Sequence, residues 1–430
     1  MITKKLASFS EENLINYEEL PEGWTLAKLE DAGQWSTGGT PSRSKPEYYN
    51  GSISWIKITD LNDGVVSSTE EKISELGLRN SSAKLLPIGT ICVGIYGSIG
   101  KIGILGIPSA TNQACGNCIV NEKVVNSKFL YFYIISQRRN LLSHGRGGTQ
   151  ANINNKILRK WPLPLPPLSE QHRIVARVEA LLSQVNAAHD RLNRVPLIMK
   201  RFRQAVLAAA CSGRLTDELD GYESQPAGDL FIDARYGTSN KCDYEEKDKI
   251  PVIRIPNIAT SKLELSDLKY GSLTENEIDR LMLQEGDIII CRTNGSLDLV
   301  GKAAIIPNLP KKFVFASYLI RVRLNRDLLL PEYYHICLSS QIGRDHIEEM
   351  ARSTAGQFNL NLEILRSMPI PLPLLEEQHE IVSRVDALFA LADQIEHQEV
   401  GATKRTEALT QAVLGKAFRG ELVERAEESV

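Results

Sequence analysis

The chain has 430 residues, more than a single hydrophobic core usually organises, so its length predicts two or three domains. With 42% hydrophobic and 24% charged residues, and no apolar run near the roughly 20 residues of a membrane helix, it reads as a globular protein outside the membrane. The net charge of −3 conceals a split: residues 23–168 carry 16 Lys and Arg against 9 Asp and Glu, residues 169–214 carry 8 against 3, residues 215–375 carry 18 against 24, and residues 376–421 carry 5 against 9.

A basic first half suits a polyanion, although charge imbalance by itself is as often a solvated face. The opening MITKKLASFSEENLINYEEL turns acidic and lacks an apolar core, so it is not a secretory signal, and seven scattered cysteines suit a reducing cytoplasm. Short Ile- and Val-rich stretches follow, ISWIKI from Ile53 and TICVGIYG from Thr90, set between Gly, Pro, Asn and Asp clusters, and these predict strands. KFLYFYIISQRRNLL, Lys128 to Leu142, predicts a helix. The run PLPLPP after Trp161 predicts an extended connector outside any sheet ladder, because proline cannot donate. Ser169 is the expected N-cap of the next helix, and Glu170 suits the positive end of its dipole.

From Ile174, the residues Val178, Leu181, Val185, Ala188, Leu192, Val195, Met199, Phe202, Val206 and Ala209 follow at alternating steps of four and three, a heptad seam. Residues 169–212 as one helix would reach about 66 Å at 1.5 Å per residue, and such a rod needs a partner along its seam. Pro196 predicts a kink or short break near Val195. A polar linker around Gly213 to Gly228 leads to a second series of strand-like stretches, DIIICRT and FASYLIRVRL, and to a helical patch from Pro331 to Met350.

The second half then repeats the first. Gln150 to Leu181 stay in step with Gln357 to Leu388 at an offset of 207, with 20 identities in 32 pairs, and PLPPLSEQH returns as PLPLLEEQH. The second seam is Ile381, Val385, Leu388, Ala392, Ile395, Ala402, Leu409 and Val413, with polar breaks at Glu399, Thr406 and Lys416, so the partner of the first helix is expected to be this second one. Further upstream the echo is fainter: PIGTICVGIYGSIGKIGIL resembles QEGDIIICRTNGSLDLVGKAAII, and ISWIKITDL resembles IPVIRIPNI.

A search for chemistry finds no catalytic centre. GIYGSIGKIG, Gly94 to Gly103, lacks the glycine at 95 and the Ser or Thr at 102 that a phosphate loop needs, which favours a glycine-rich strand and turn whose Lys101 can approach a phosphate. Cys115 and Cys118 form a lone C-x-x-C without a second pair, poor grounds for zinc. His172 and His379 sit beside carboxylates with no nucleophile or metal ligand, so packing or capping is favoured over acid–base work. GRGGTQANIN and RSTAGQFNLN share Arg, Gln and Asn, the side chains that bond bidentately to guanine and adenine. Because both halves share the pattern, a structural turn is favoured there, and the variable loops GGTPSRSKPEYY and RTNGSL are the preferred base readers.

Taken together, LPEGW at Leu20 to Trp24, the two Q-x-N-x-N loops, PLPPLSEQHRIVARVEALL, RQAVLAAACSGRL and their second copies resemble the specificity subunit of type I restriction–modification enzymes over essentially the whole chain. The second half has QPAGDL in place of LPEGW, so the two domains are expected to differ at their first strand. The resemblance implies an α/β (α+β) fold: two sheet-rich target-recognition domains, residues 1–165 and 215–372, separated by two long antiparallel coiled-coil helices, residues 166–214 and 373–422, in a pseudo-two-fold repeat.

It further implies a non-catalytic, cytoplasmic subunit with no cofactor or metal of its own. Its partners would be double-stranded DNA, two methyltransferase subunits and restriction/translocase subunits, with the helices acting as a ruler between half-sites. Residues expected to meet DNA are Arg43, Lys45, Lys57, Tyr96, Ser98, Lys101, Arg146 and Gln150 in the first half. In the second half they are Arg254, Asn257, Arg292, Thr293, Asn294, Lys302, Arg352 and Gln357. Residues expected at subunit interfaces are Glu170, Gln171, Arg177, Glu377, Gln378 and Arg384. A methyltransferase or nucleotide-dependent enzyme would need a motif the chain lacks, and a pure coiled-coil scaffold would leave two sheet-rich domains without a purpose.

Overall fold

The computed structural model describes residues 19–144, 153–216, 221–351, 353–354 and 357–424, with the backbone alone at Ser353, Thr354 and Gln357. The chain forms two compact units, residues 1–192 with 401–430 and residues 193–400, so that both stretches of long helix are divided between units.

In the first unit, Thr25–Lys28 pairs antiparallel with Pro162–Leu165. The proline run is therefore a strand and not a free connector: it is confined to a two-stranded ladder, where its carbonyls accept even though its prolines cannot donate. A five-stranded sheet follows in the order Gly33–Thr37, Cys115–Val120, Ile91–Gly94, Ile102–Leu105, Gly64–Val66, and a three-stranded sheet in the order Lys72–Ile73, Tyr49–Ile56, Ser109–Thr111. Helix α1, Ser127–Ser136, is capped by the Asn126 side chain, which accepts from the amides of Lys128 and Phe129. It buries Phe129 and Tyr133 against Phe418 at ring separations of 5.1 and 5.2 Å, so the end of the second long helix closes this core.

The first long helix is two helices, α2 (Leu168–Leu192) and α3 (Val195–Cys211), broken at Asn193–Arg194 with Pro196 in the first turn of α3. The break lies where Pro196 predicts it, in the position where a missing amide costs nothing. Every residue of the predicted first seam is buried or half-buried. Ser169 is not the cap: α2 starts one residue earlier, and the amides of Glu170 and Gln171 both donate to the Pro167 carbonyl, at 2.9 and 3.0 Å.

In the second unit, Ser224–Pro226 pairs antiparallel with Pro369–Pro371, the same ladder as in the first unit. The expected difference at the first strand is not found, because a backbone ladder does not need the LPEGW side chains. One four-stranded antiparallel sheet runs Phe231–Tyr236, Leu319–Leu324, Ile288–Cys291, Ala303–Ile305; the other runs Cys242–Asp243, Lys269–Gly271, Ile250–Ile253, Val314–Phe315. Helix α4, Pro331–Ser339, packs against the first of these sheets, sharing its core with Ile288, Ile290, Ile320 and Val322. His335 on α4 donates from Nε2 to the Ala303 carbonyl at 3.0 Å, and burial holds its pKa below the usual imidazole value. A depressed histidine stabilises the fold above its unfolded pKa of about 6.5 and loses that contribution as pH falls. Thermal unfolding is therefore expected to shift down between pH 7.5 and 5.5 and to shift less in His335→Gln; equal slopes in the two proteins would contradict this.

The second long helix, α5 (Leu375–Phe418), is continuous. Within the second unit it runs antiparallel to α3, since Arg203 reaches Glu396 at 2.7 Å and Asp393 at 2.5 Å while Thr216, beyond the end of α3, reaches Glu377 at 2.7 Å. Every residue of the predicted second seam except Leu409 is buried or half-buried, Val413 included. Leu409 is 51% exposed while Thr406 is buried, its hydroxyl donating to the Thr403 carbonyl at 2.8 Å. A threonine that bonds back to its own helix carries no unsatisfied donor and can take a core position. Among the described residues no helix is long and apolar enough to cross a membrane.

Candidate nucleic-acid interface

In each unit one glycine-bearing hairpin stands between two buried strands, and the two hairpins are built alike. In the first, Gly94 donates to the Lys101 carbonyl at 2.7 Å and Gly100 to the Gly94 carbonyl at 2.9 Å; in the second, Cys291 donates to Lys302 at 2.7 Å and Gly301 to Cys291 at 2.8 Å. Gly100 and Gly301 both have positive φ, +79° and +80°, a conformation that excludes most side chains. An arginine pins each turn: Arg138 donates from Nε to the Gly100 carbonyl at 3.0 Å and is bidentate to Asp63, and Arg344 donates to the Val300 carbonyl at 2.7 Å. Neither arginine was a predicted site residue; their offset of 206 places them one step out of the repeat register.

The hairpins bring together loops that are far apart in sequence. The Ile153 amide donates to the Ile95 carbonyl at 3.0 Å and the Leu360 amide to the Arg292 carbonyl at 2.8 Å, so the segment before each proline strand docks on the hairpin of its own unit. In the second unit Thr293–Asn294 pairs with Gln357–Asn359, which pairs in turn with Ser353–Thr354. Arg146, Gln150 and Arg352 lie outside the described residues, and Gln357 is described by its backbone in this ladder.

On the first hairpin Tyr96 is 51% exposed. The amides of Ser98, Gly100 and Lys101 are consumed inside the turn, and the side chains of Ser98 and Lys101 are half-buried. Elsewhere in the same unit, Glu71 gathers two predicted cations: Lys57 Nζ at 2.8 Å and Arg43 at 2.8 Å. The Lys57 bond, then Arg43, lower the Glu71 pKa against the opposing effect of burial, and the same bond raises that of Lys57. Arg43 also stacks 4.5 Å from the Tyr49 ring, and Lys45 donates to the Tyr48 hydroxyl at 3.2 Å.

In the second unit the Arg292 guanidinium lies 4.3 Å from the Tyr236 ring centre, and Thr293 donates to Asn359 at 2.5 Å. Asn294 accepts from the Ser296 amide, Lys302 donates to the Ala259 carbonyl at 2.9 Å, and Arg254 pairs with Asp267 at 2.9 Å. Asn257 is not a surface reader. It is 2% exposed, with its oxygen capping the Arg254 amide and its nitrogen donating to the Glu264 and Asp267 carbonyls.

The predicted interface residues on the helices divide in two. Gln171 and Gln378 are wholly buried, so their side chains cannot meet another subunit. Gln171 accepts from the Asn126 amide at 2.8 Å and donates to the carbonyls of Val124 and Pro166; Gln378 accepts from Leu330 at 2.9 Å and donates to those of Leu328 and Pro373. Each ties its long helix to the turn before α1 or α4.

Glu170 accepts from the Trp24 indole at 3.0 Å, and Glu377 from the hydroxyls of Thr216 and Tyr222, so the second unit replaces the missing tryptophan with two hydroxyls. Arg384 donates to the Leu215 carbonyl and pairs with Glu380, while Arg177 is exposed. His172 is exposed and bonds the Leu168 carbonyl of its own helix at 2.7 Å. Cys115 and Cys118, three apart on one strand, enter different core clusters on opposite faces, and burial pushes both thiols up to about 12. They do not converge on one metal ion.

The family model described as "Type I restriction modification DNA specificity domain" matches residues 21–197 and again 220–401. The chain is 33% identical over 423 residues to the type I restriction enzyme EcoKI specificity subunit of Escherichia coli strain K12, covering 94% of this chain and 90% of that one. It is 31% identical to the StySPI specificity subunit of Salmonella potsdam, covering 95% and 91%. In fold it is similar to the crystal structure of the HsdS subunit from Thermoanaerobacter tengcongensis, with a TM-score of 0.61, 20% identity and coverage of 95% and 99%. A chain from a structure concerning complex assembly and conformational transition of the type I R-M system gives 0.72 at 21% identity, covering 94% and 100%. The two matched segments span most of the chain, and each contains one hairpin with its docked loop: this protein belongs to the type I restriction–modification DNA specificity family.

Proposed function

We propose that each unit reads one half of a bipartite duplex site, with its hairpin and docked loop as the reading edge. The observation that carries this is the duplicated junction, Ile153 on Ile95 and Leu360 on Arg292: a constant backbone frame that holds different side chains in the two units. Tyr96, Ser98 and Lys101, with the loop around Arg43, face the first half-site; Arg292, Thr293 and Asn294 face the second. A guanidinium stacked on a ring, as Arg292 is on Tyr236, keeps its N–H edge set for a base.

The protein is the DNA-recognition subunit of a type I restriction–modification system, and catalysis belongs to its partners. Two modification subunits dock on the helical arms through exposed groups such as Arg177, with Gln171 and Gln378 holding those arms from within, and restriction subunits add cleavage. The arms set the separation of the half-sites, and the assembly works on DNA in the cytoplasm. The test is to exchange residues 23–160 for those of a relative and map methylated adenines in cells carrying the modification subunit. One half of the methylated sequence is expected to change and the other to stay; a change in both halves, or in neither, would contradict the reading.

A further inference from the structure

The second unit presents an electrostatic problem for any DNA reader, since residues 215–375 carry 18 basic against 24 acidic groups. Its basic groups are not spread evenly. A groove of about 500 Å³ is walled by residues 238–242 on one side, by Arg254 and Lys269 on another, and is closed by Ser317 and Tyr318. Three cations, Lys241, Arg254 and Lys269, therefore line one depression. Lys269 pairs with Val252, two residues before Arg254, and Cys242 pairs with Gly271, two residues after Lys269, which brings these residues to one end of the sheet. Of the acids nearby, Asp267 is engaged by Arg254 and Asp243 by Lys249 at 2.8 Å, while Lys269 lies 4.8 Å from the Tyr244 ring.

The internal repeat identifies the wall of this groove. In the first unit the strand ending at Thr37 runs into Gly38, where a Cβ would come within 2.2 Å of the Asn112 carbonyl; in the second the strand ending at Tyr236 runs into Gly237, where it would come within 2.1 Å of the Phe315 carbonyl. The next amides, Gly39 and Thr238, donate to the Thr111 and Phe315 carbonyls at 2.9 and 2.8 Å. TSNKCDYEEK is thus the counterpart of GTPSRSKPEYY, an equivalence the side chains do not reveal. Tyr318, 61% exposed, closes the groove and accepts the Arg292 amide on its carbonyl at 2.9 Å, so the groove opens beside the second hairpin.

We propose that this groove is the backbone track of the second half-site: Lys241 and Lys269, with Arg254 behind them, hold successive phosphodiesters of one DNA strand and present its bases to Arg292 and Tyr318. The assignment rests on the half-site reading above. It is tested in the complete complex with modification subunits, using Lys241→Gln, Lys269→Gln and the double variant, by fluorescence anisotropy on a duplex carrying the mapped site.

At 0.15 M salt the double variant is expected to bind about tenfold more weakly, with a slope of log K against log salt shallower by about 2. Methylphosphonates in the half-site that the 23–160 exchange leaves unchanged should weaken wild type but not the double variant; in the other half-site they should weaken both alike. An unchanged salt slope, or equal sensitivity of both proteins to methylphosphonates in either half-site, overturns the groove and leaves the parent reading standing. Failure of the wild-type complex to prefer any duplex sequence overturns the parent reading instead. Thermal midpoints matching wild type confirm that the variants are folded, and the single variants supply the same readout if the double one is not.

Discussion

Gln171→Ala is expected to destabilise the first unit by about 3 kcal/mol. The side chain is fully buried at the base of α2, where its amide satisfies one backbone donor, Asn126, and two acceptors, Val124 and Pro166. Alanine leaves one buried and two partly buried groups without that partner, and each such group costs roughly 1–3 kcal/mol where water cannot replace what was lost. All four tryptophans, Trp24, Trp35, Trp55 and Trp161, belong to the first unit, so their fluorescence during urea unfolding reports on this unit selectively. Gln171→Glu keeps the shape but turns a carboxylate toward two carbonyls, and should do no better. A fluorescence midpoint within the equivalent of about 1 kcal/mol of wild type would rule out the clamp. Since Gln378 makes the same three bonds in the second unit, the effect should be reproduced there.

Arg321→Ala is expected to cost the second unit about 3–5 kcal/mol. Arg321 sits on the central strand Leu319–Leu324 with its side chain 2% exposed, donating to the Met282 carbonyl at 2.7 Å and bonded to Asp233, with Asp287 4.0 Å away. Asp287 is itself 1% exposed and is held by Arg323 at 2.7 Å and by the Gln284 amide at 2.8 Å. Burial lowers the Arg321 pKa, opposed by its bond to Asp233 and the field of Asp287. Removing the arginine deprives two carboxylates of a cation in a region water reaches poorly, and that imbalance accounts for most of the loss. Hydrogen exchange at the amides of 288–291 and 319–324 would report it, as faster exchange through unfolding of the unit. Protection equal to wild type would show that the network contributes nothing. Arg321→Met, which restores packing but not charge, should recover only part.

Much of the helical architecture was legible in the sequence because it is repetitive. A seam at steps of three and four, a proline at 196 and an offset of 207 each point to long helices, a break and a duplication, and the structure shows all three. Where the reading failed, the deciding partner lay elsewhere in the chain. The proline run was read as unpaired because its prolines cannot donate, yet Thr25–Lys28 lies alongside it. Leu409 and Thr406 exchanged roles because a hydroxyl can bond back to its own helix.

The candidate site was legible as segments but not as an arrangement. The two glycine turns, and the segments that dock on them, were noticed separately, and only the folded chain joins Ile153 to Ile95 and Leu360 to Arg292. Asn257 and Gln378 have the same polar chemistry as surface readers, and burial alone distinguishes them. Lys241 and Lys269 carried no signal, since they stand in a segment with more acids than bases. The sequence by itself determined family, duplication and helix periodicity, because these are properties of order along the chain. Which polar side chains face solvent and which are spent on backbone groups was decided only by the tertiary structure, because that depends on how partners from three to fifty residues away are folded against them.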